Sequence, residues 1–267
     1  MKLKSLIQRY LRNVVKVLMA ETMRQEKDEI LRGVSRLQSI AYLHQKTFAG
    51  YKNKYRGKDI VLIGGGPTVN QFKPINDCVY IGLNRACLLD NVKFDYLFTI
   101  DKVGVDKIYS AFGQYDCVKF VGDQNLGPSF QIPESRIAEM KDVYRYKTDA
   151  GLYSESHFAL DLTTEPLGNF NTAALQAMQF ILYTNPRKVY IVGMDCSTAG
   201  HFNSLQGEKE EHYGRMKNRG EDINVMVKDY VKFWYQLKDF ADQYYPDTEI
   251  ISVNPVGLRG LFTDLDQ

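Results

Sequence analysis

The chain has 267 residues, of which 44% are hydrophobic and 25% are charged, and its formal net charge at pH 7 is +2. This composition is typical of a soluble globular protein that is long enough to bury one substantial core. A charge so close to neutral, with no dense basic tract in the globular part, argues against a nucleic-acid-binding protein.

Membrane-spanning and secreted classes are also disfavoured. No apolar run is long enough to span a bilayer, and the basic N-terminus lacks the small-residue cleavage site of a secretory signal. We therefore expect a cytoplasmic protein whose cysteines are free thiols, since they form no CxxC pair and no Cys/His cluster. These cysteines are Cys78, Cys87, Cys117 and Cys196.

Residues 1–50 are predicted to form a separate helical segment, because the first 48 residues contain one glycine and no proline. Apolar residues recur there at helical spacing, and basic residues are interspersed with no acid before Glu21. One interpretation is a helix or helical hairpin that packs on the body or on a sister subunit of a homo-oligomer. The other is a basic amphipathic helix whose residues 1–20 rest on an anionic membrane surface, which would make the protein peripheral on the inner face of the cytoplasmic membrane. The apolar stripe comprises Leu3, Leu6, Ile7, Tyr10, Val14, Leu18, Ile30, Leu31, Val34 and Leu37.

Residues 51–267 alternate between strand and helix patterns. This alternation predicts an α/β fold, a single Rossmann-like, doubly wound parallel sheet that binds a nucleotide. Ligands in such sheets bind beyond the carboxyl ends of the strands. Predicted strands are 59–65, 78–84, 94–101, 116–122, 188–195 and 248–255, and predicted helices are 172–185 and 223–245.

A glycine-rich turn, Gly64–Gly65–Gly66–Pro67–Thr68, follows the first strand. The glycines permit positive φ and close backbone approach, and Pro67 suits a first helical turn whose free amides face an anion. We interpret the turn as a phosphate-binding turn. Val69 stands where a GxGxxG fingerprint needs glycine, and no GK[ST] follows, so a dinucleotide-dependent oxidoreductase and a P-loop protein are disfavoured.

Polar residues at other strand ends and at a helix start complete the predicted nucleotide site. Asn84 and Asp101 end the second and third strands, and the amide of Asn84 offers a donor and an acceptor to a base or sugar edge. Gly193 and Asp195 end the 188–195 strand. Asn171 or Thr172 is a natural N-cap, which by itself explains their presence at the start of the 172–185 helix.

A charged, apolar-poor segment at about 200–222 is predicted to be a lid over the ligand edge of the sheet. It contains His201, His212, Tyr213 and Arg215. A histidine can accept a proton from an attacking hydroxyl near neutral pH, while a tyrosine and an arginine can hold a leaving phosphate. A solvated loop without such a role is the alternative.

Five segments, in this order, resemble the bacterial sialyltransferases of glycosyltransferase family 42: IVLIGGGPT, YIGLNRA, FDYLFTID, NTAALQA and VYIVGMD. They resemble equally the DUF115 group, which includes motility-associated factors and MptE-like pterin diphosphokinases. The resemblance extends over about residues 56–260 and leaves the N-terminal helices outside.

The family-42 resemblance implies metal-independent, inverting transfer of a CMP-activated acidic sugar to a glycan acceptor in surface polysaccharide or lipooligosaccharide synthesis, with no cofactor. It implies that the glycine turn holds the CMP phosphate, that Asn84 and Asp101 contact the donor, and that His212 is the base. It also implies that Asn171 or Thr172 stands where the family has a serine or threonine that contacts the donor. Met216 departs from this pattern, since a second histidine is expected there. After VYIVGMD, His201 is present where the family has a tyrosine.

Two other functions remain open at this point. An MptE-like diphosphokinase would need Mg²⁺, which Asp101 and Asp195 could hold. A non-catalytic nucleotide-binding protein would fit the altered lid. The C-terminal TDLD (263–266) has the DxD form of metal-dependent glycosyltransferases but is not predicted to follow a strand. We predict no metal site.

Overall fold

The computed structural model describes residues 2–100, 102–123, 131–150, 152, 155–203, 220 and 222–267, with only the backbone described for 2–13 and 103. Within these residues the chain forms one parallel sheet of eight strands, in the order β5-β4-β3-β2-β1-β6-β7-β8. The strands are β1 (Asp59–Ile63), β2 (Cys78–Leu83), β3 (Tyr96–Thr99), β4 (Val118–Asp123), β5 (Val143–Lys147), β6 (Lys188–Val192), β7 (Glu249–Val253) and β8 (Thr263–Leu265).

The strand order confirms the predicted doubly wound, Rossmann-like α/β fold. The chain moves outward from β1 to β5, then returns to place β6 on the other side of β1, so Asp59 is aligned with both Cys78 and Lys188. The topological switch point therefore lies between β1 and β6, where α/β sheets bind their ligands.

Helices cover both faces of the sheet. Every residue of α5 is buried, and this helix packs over β1, β2 and β3. In β1, Ile60 and Leu62 belong to the core on the α5 side, while Val61 and Ile63 belong to the core on the other. The strand is apolar on both faces, as its sequence predicts. The α-helices are α1 (Lys2–Phe48), α2 (Lys102–Val105), α3 (Tyr109–Gln114), α4 (Glu134–Ala138), α5 (Ala173–Tyr183) and α6 (Ile223–Tyr244).

The sequence patterns miss the two edge strands. In the β5 segment VYRYK, Tyr144 is exposed and Tyr146 is buried, with basic residues after each, and β8 has only three residues. Strands of this kind lack the buried apolar run that marks the central strands. The TDLD tail thus contains a strand that the sequence patterns do not indicate. Its Asp264 accepts hydrogen bonds from the Gly260 amide, and Asp266 pairs with Arg259.

The N-terminal segment is one helix, not a hairpin, and it contacts the body only near its end. Ile40, His44, Thr47 and Phe48 are buried, whereas residues 14–32, for example, are all exposed. The described part of the stripe, from Val14 to Leu37, therefore does not pack on the body, and packing on a sister subunit stays a prediction. The apolar positions before residue 19 and after it point to different sides of the helix, so they form no single stripe.

His44 connects α1 to the free edge of β5. Its Nδ1 donates to the carbonyls of Leu162 (3.0 Å) and Glu165 (2.9 Å), and its Nε2 accepts from the Lys147 amide (2.8 Å). The Thr47 hydroxyl donates to the Arg145 carbonyl. Burial lowers the pKa of His44 to about 4, so the imidazole is neutral and serves β5 as a hydrogen-bond partner.

Among the described residues, no helix is long and apolar enough to cross a membrane.

Candidate functional site

The predicted glycine turn lies at the switch point, directly beyond β1 and against the turn that follows β6. The Gly64 amide donates to the Val192 carbonyl and the Gly66 amide to the Gly193 carbonyl, each at 2.8 Å. A Cβ on Gly64 or Gly66 would lie 2.7 Å from the Gly193 oxygen. Close packing between the two turns therefore excludes side chains at both positions.

Positive φ is not the reason for the three glycines, contrary to the prediction. None of them is among the positive-φ glycines, whereas Gly193, on the β6 side, has φ +65°. The close backbone approach that the sequence predicts at this turn is confirmed, with the β6 turn as the partner. The glycine that needs a left-handed backbone is thus the one after β6.

Asp195 joins the two turns through Thr68. The Thr68 amide donates to Asp195 Oδ2 at 3.1 Å, and the Thr68 hydroxyl donates to Asp195 Oδ1. Pro67 is the first residue of a helix, as predicted, and this helix is a short 3₁₀ helix, Pro67–Gln71. One of the amides assigned to a phosphate is therefore bound by the protein's own carboxylate, while no hydrogen-bond acceptor is recorded for the Gly65 amide among the described residues.

His201 lies over the same turn. A Cβ built on Gly65 would be 2.9 Å from His201 Nδ1, and the Phe202 amide donates to the Gly65 carbonyl at 2.8 Å. His201 is exposed to solvent. The segment after β6 thus brings a titratable, accessible ring to the free amide of the turn.

Asn84 extends the site to the end of β2. Its backbone is left-handed (φ +47°), and its Oδ1 is buried without a hydrogen-bond partner among the residues that the structure describes. Gly104 approaches so closely that a Cβ there would lie 2.4 Å from this oxygen. A buried acceptor without a donor is costly, which makes this amide a candidate for binding a ligand group.

The start of α5 has a different character. The Thr172 hydroxyl accepts from the Ala174 amide at 3.3 Å, so the predicted N-cap is confirmed. Asn171 Oδ1 accepts from Asn169 Nδ2 at 2.9 Å. Both side chains predicted to contact the donor sugar nucleotide therefore have partners within the protein, Thr172 in α5 and Asn171 in the loop before it.

A buried aspartate that the sequence reasoning missed organises this loop. Asp149 is 2% exposed and accepts from the Ser156 hydroxyl (3.1 Å), the His157 amide (2.9 Å) and the Asn169 amide (2.8 Å). We call these four residues the Asp149 cluster. A lone aspartate after an unpredicted edge strand gives no pattern that would identify this role.

The structure brings together the glycine turn, Thr68, Gly193, Asp195 and His201, with Asn84 on the adjoining strand; we call these residues the switch-point cluster. Asp101, His212, Tyr213 and Arg215 lie outside the described residues, as does most of the predicted lid.

Burial raises the pKa of the Cys196 thiol beside Asp195 to about 12, so this thiol is protonated at neutral pH. Groups of three or more His, Cys, Asp or Glu side chains arranged to hold a metal are not found in the described part.

The fold is similar to solved structures of a sialyltransferase. One is CstII from Campylobacter jejuni in complex with a substrate analogue, CMP-3FNeuAc, at 13% identity and a TM-score of 0.45, covering 78% of this chain and 86% of that chain. Another is CST-II with trisaccharide acceptor and CMP, at 14% identity, the same TM-score and the same coverage. Identity this low bears on the fold alone. No protein-family model and no curated protein matches the chain, so its resemblance to the DUF115 group remains a prediction.

Proposed function

We propose that this chain is a glycosyltransferase that takes an acidic sugar from a CMP-activated donor and transfers it, with inversion, to a glycan acceptor in surface polysaccharide or lipooligosaccharide synthesis. The observation that carries the proposal is the switch-point cluster, where a close-packed glycine turn, an accessible histidine and an unpartnered asparagine oxygen meet at the ligand edge of a Rossmann-like sheet.

The donor phosphate is assigned to Gly65. Its amide has no acceptor recorded in the described part of the chain, and the absence of a side chain lets an oxyanion approach. His201 lies at the same point, within reach of a phosphate oxygen, where a ring N–H would donate a hydrogen bond to the departing CMP.

The nucleoside is assigned to Asn84, on the strand next to β1. Its buried Oδ1 lacks a donor, and the exocyclic amine of a cytosine or a ribose hydroxyl would supply one. A site built to pair with such a group discriminates against nucleotides that lack it.

The transfer needs a base for the acceptor. The acceptor oxygen forms a bond to the anomeric carbon of the sugar. At the same time the bond from that carbon to the phosphate oxygen of CMP breaks, and CMP leaves with the electron pair. The proton of the acceptor hydroxyl passes to an imidazole. The family resemblance assigns this base to His212. His201 is the rival, and Tyr213 and Arg215 are assigned to the leaving phosphate.

Metal independence is supported by the partners of Asp195. Both carboxylate oxygens accept hydrogen bonds from Thr68, so Asp195 already serves to join the two turns and only its remaining lone pairs are open to a Mg²⁺ ion. This observation favours the glycosyltransferase over the Mg²⁺-dependent diphosphokinase.

Calorimetry with CMP, CDP, UDP, GDP and ATP tests the site. CMP is expected to bind most tightly, and Gly65→Val to weaken binding at least ~10-fold because the branched side chain fills the phosphate position. Gly50→Val is the matched control, since nothing lies within 4 Å of a Cβ at Gly50. Equal CMP affinity in the wild type and Gly65→Val would remove this turn from the site.

CMP release from CMP-sialic acid tests the chemistry. CMP release is expected to continue in EDTA. If chelation abolished the activity and Mg²⁺ restored it, the diphosphokinase would be favoured. With an acceptor present, loss of the base lowers kcat by ~10²-fold or more at unchanged CMP affinity. Measuring His212→Ala and His201→Ala side by side identifies the base, and full activity in both would exclude each histidine.

A further inference from the structure

The exposed part of α1 presents apolar side chains that the body does not cover. Burial on the body begins at Ile40, where the side chain is 4% exposed. Upstream, Val14, Val17 and Leu18 are 36%, 64% and 61% exposed. Helices in proteins gain most of their stability from packing an amphipathic face, so these uncovered side chains are candidates for a contact outside the body.

The apolar residues lie on different sides of the helix in its two halves. In the first half, the spacing of Leu3, Leu6, Ile7, Tyr10, Val14, Val17 and Leu18 places them on one face. In the second half, Met23, Ile30, Val34 and Leu37 share a face. Val14 and Met23 are nine residues apart, which is about 2.5 turns, so the two faces point in opposite directions.

The charges of the two halves also differ. Residues 2–16 carry five basic residues and no acid, and Arg9, Arg12 and Lys16 fall at helical spacing opposite the apolar face. Residues 21–36 carry four acids and four bases, which balance. Only the first half combines an apolar face with a purely cationic one.

We infer that residues 2–18 of α1 form a membrane-surface helix that binds anionic lipid. The apolar face enters the boundary between headgroups and acyl chains, and the cationic face is attracted by the lipid phosphates. A second copy of the chain is the weaker choice for this half, because two such helices would bring ten cations together without an acid between them. Residues 19–39, about 32 Å of helix, connect this segment to the body.

Co-sedimentation of the full-length protein with vesicles tests the inference. Binding to phosphatidylcholine vesicles with about 30% phosphatidylglycerol is expected to exceed binding to pure phosphatidylcholine at least ~10-fold, and to fall as NaCl rises from 0.1 to 0.5 M. Equal binding to the two vesicle types would overturn it.

Two paired variants locate the surface. Val14→Glu with Leu18→Glu is expected to reduce vesicle binding at least ~10-fold, because it places charge on the inserted face. Met23→Glu with Ile30→Glu makes the same chemical change at exposed residues of the other half and is expected to retain binding. Equal loss in both pairs would contradict the assignment to the first half. A fall in oligomeric mass by light scattering for the first pair, at unchanged vesicle binding, would show that a second copy covers this face.

Substitutions are preferable to removal of all of α1, because the end of this helix is part of the folded body. Phe48 is fully buried and stacks with Phe120. His44 and Thr47 form hydrogen bonds with backbone groups at the free edge of β5. Deletion of residues 2–18 keeps these contacts, and this shorter chain is expected to stay folded and to lose vesicle binding.

Discussion

The Asp149 cluster and the switch-point cluster lie at the same edge of the sheet and are both built on a buried aspartate, yet they use their polar atoms differently. Asp149 accepts from three separate residues and ties β5 to the loop before α5. Within the described residues, Asp195 accepts only from Thr68, the Gly65 amide has no recorded acceptor, and Asn84 Oδ1 has no donor.

This difference indicates that the Asp149 cluster supports the fold and that the switch-point cluster is the candidate binding site. A polar group whose partners all come from the protein contributes to stability and has nothing to offer a ligand. A buried group without a partner costs free energy in the empty protein, and a ligand that pairs with it recovers that cost. We therefore expect substitutions in the Asp149 cluster to change stability and substitutions in the switch-point cluster to change affinity.

The largest effect is expected for Asp149→Ala. Three donors would lose their acceptor in a buried setting, and each unsatisfied donor costs ~1–3 kcal/mol, so the free energy of unfolding should fall by ~3–5 kcal/mol after partial relaxation. Urea denaturation measures it. Asp149→Asn retains one acceptor oxygen, so its free energy of unfolding should fall clearly less than that of Asp149→Ala. A loss below ~1 kcal/mol for Asp149→Ala would contradict the scaffold role.

His44 is a second fully partnered group, and its effect depends on pH. Its pKa is lowered to about 4 in the folded protein, below the ordinary value of 6.5. Between these values the unfolded chain binds a proton that the folded chain does not, so the free energy of unfolding falls as pH drops from 6.5 toward 4.

Comparison with His44→Gln isolates this contribution. Between pH 7 and 4.5 the wild type should lose ~2–3 kcal/mol more stability than the variant, since each unit of pKa shift corresponds to ~1.4 kcal/mol. Urea denaturation at several pH values provides the test. Parallel stability profiles for the two proteins would mean that His44 is not the titrating group.

Much of the fold could be predicted from the sequence because its central strands are buried on both faces. Apolar runs such as 60–63 and 189–192 leave no alternative to a parallel sheet once helices separate them. β5 is not predicted, because the hydrogen-bonding groups on its free edge find partners far away in the sequence. The Lys147 amide donates to His44, 103 residues earlier, and the Arg145 carbonyl accepts from Thr47, 98 residues earlier. Hydrogen bonds of this kind leave no periodic signal.

The candidate site could be predicted in position but not in detail. Strand-end residues locate the switch point, since topology alone brings β1 and β6 together. The sequence does not reveal that Asp195 would bind Thr68, because that bond joins residues 127 positions apart. Nor does it distinguish Asn171, which is partnered within the loop, from Asn84, which is not.

The smallest effect, and the sharpest comparison, concerns Asn84→Ala. Asn185 is the matched control, since it also has a left-handed backbone (φ +57° against +47°) but lies after α5, at the opposite edge of the sheet. Alanine in this conformation costs roughly 1–2 kcal/mol in both variants. Asn185→Ala also removes the hydrogen bond from Asn185 Nδ2 to Asn53 Oδ1, whereas Asn84→Ala removes an oxygen whose burial costs free energy, so the control should lose at least as much stability as Asn84→Ala. Only Asn84→Ala removes the unpartnered oxygen, and its affinity for CMP should fall ~5–10-fold, which corresponds to ~1 kcal/mol for one neutral hydrogen bond. Calorimetry on both variants decides the matter: an Asn84→Ala protein that binds CMP as tightly as Asn185→Ala would place the nucleoside elsewhere on the sheet edge.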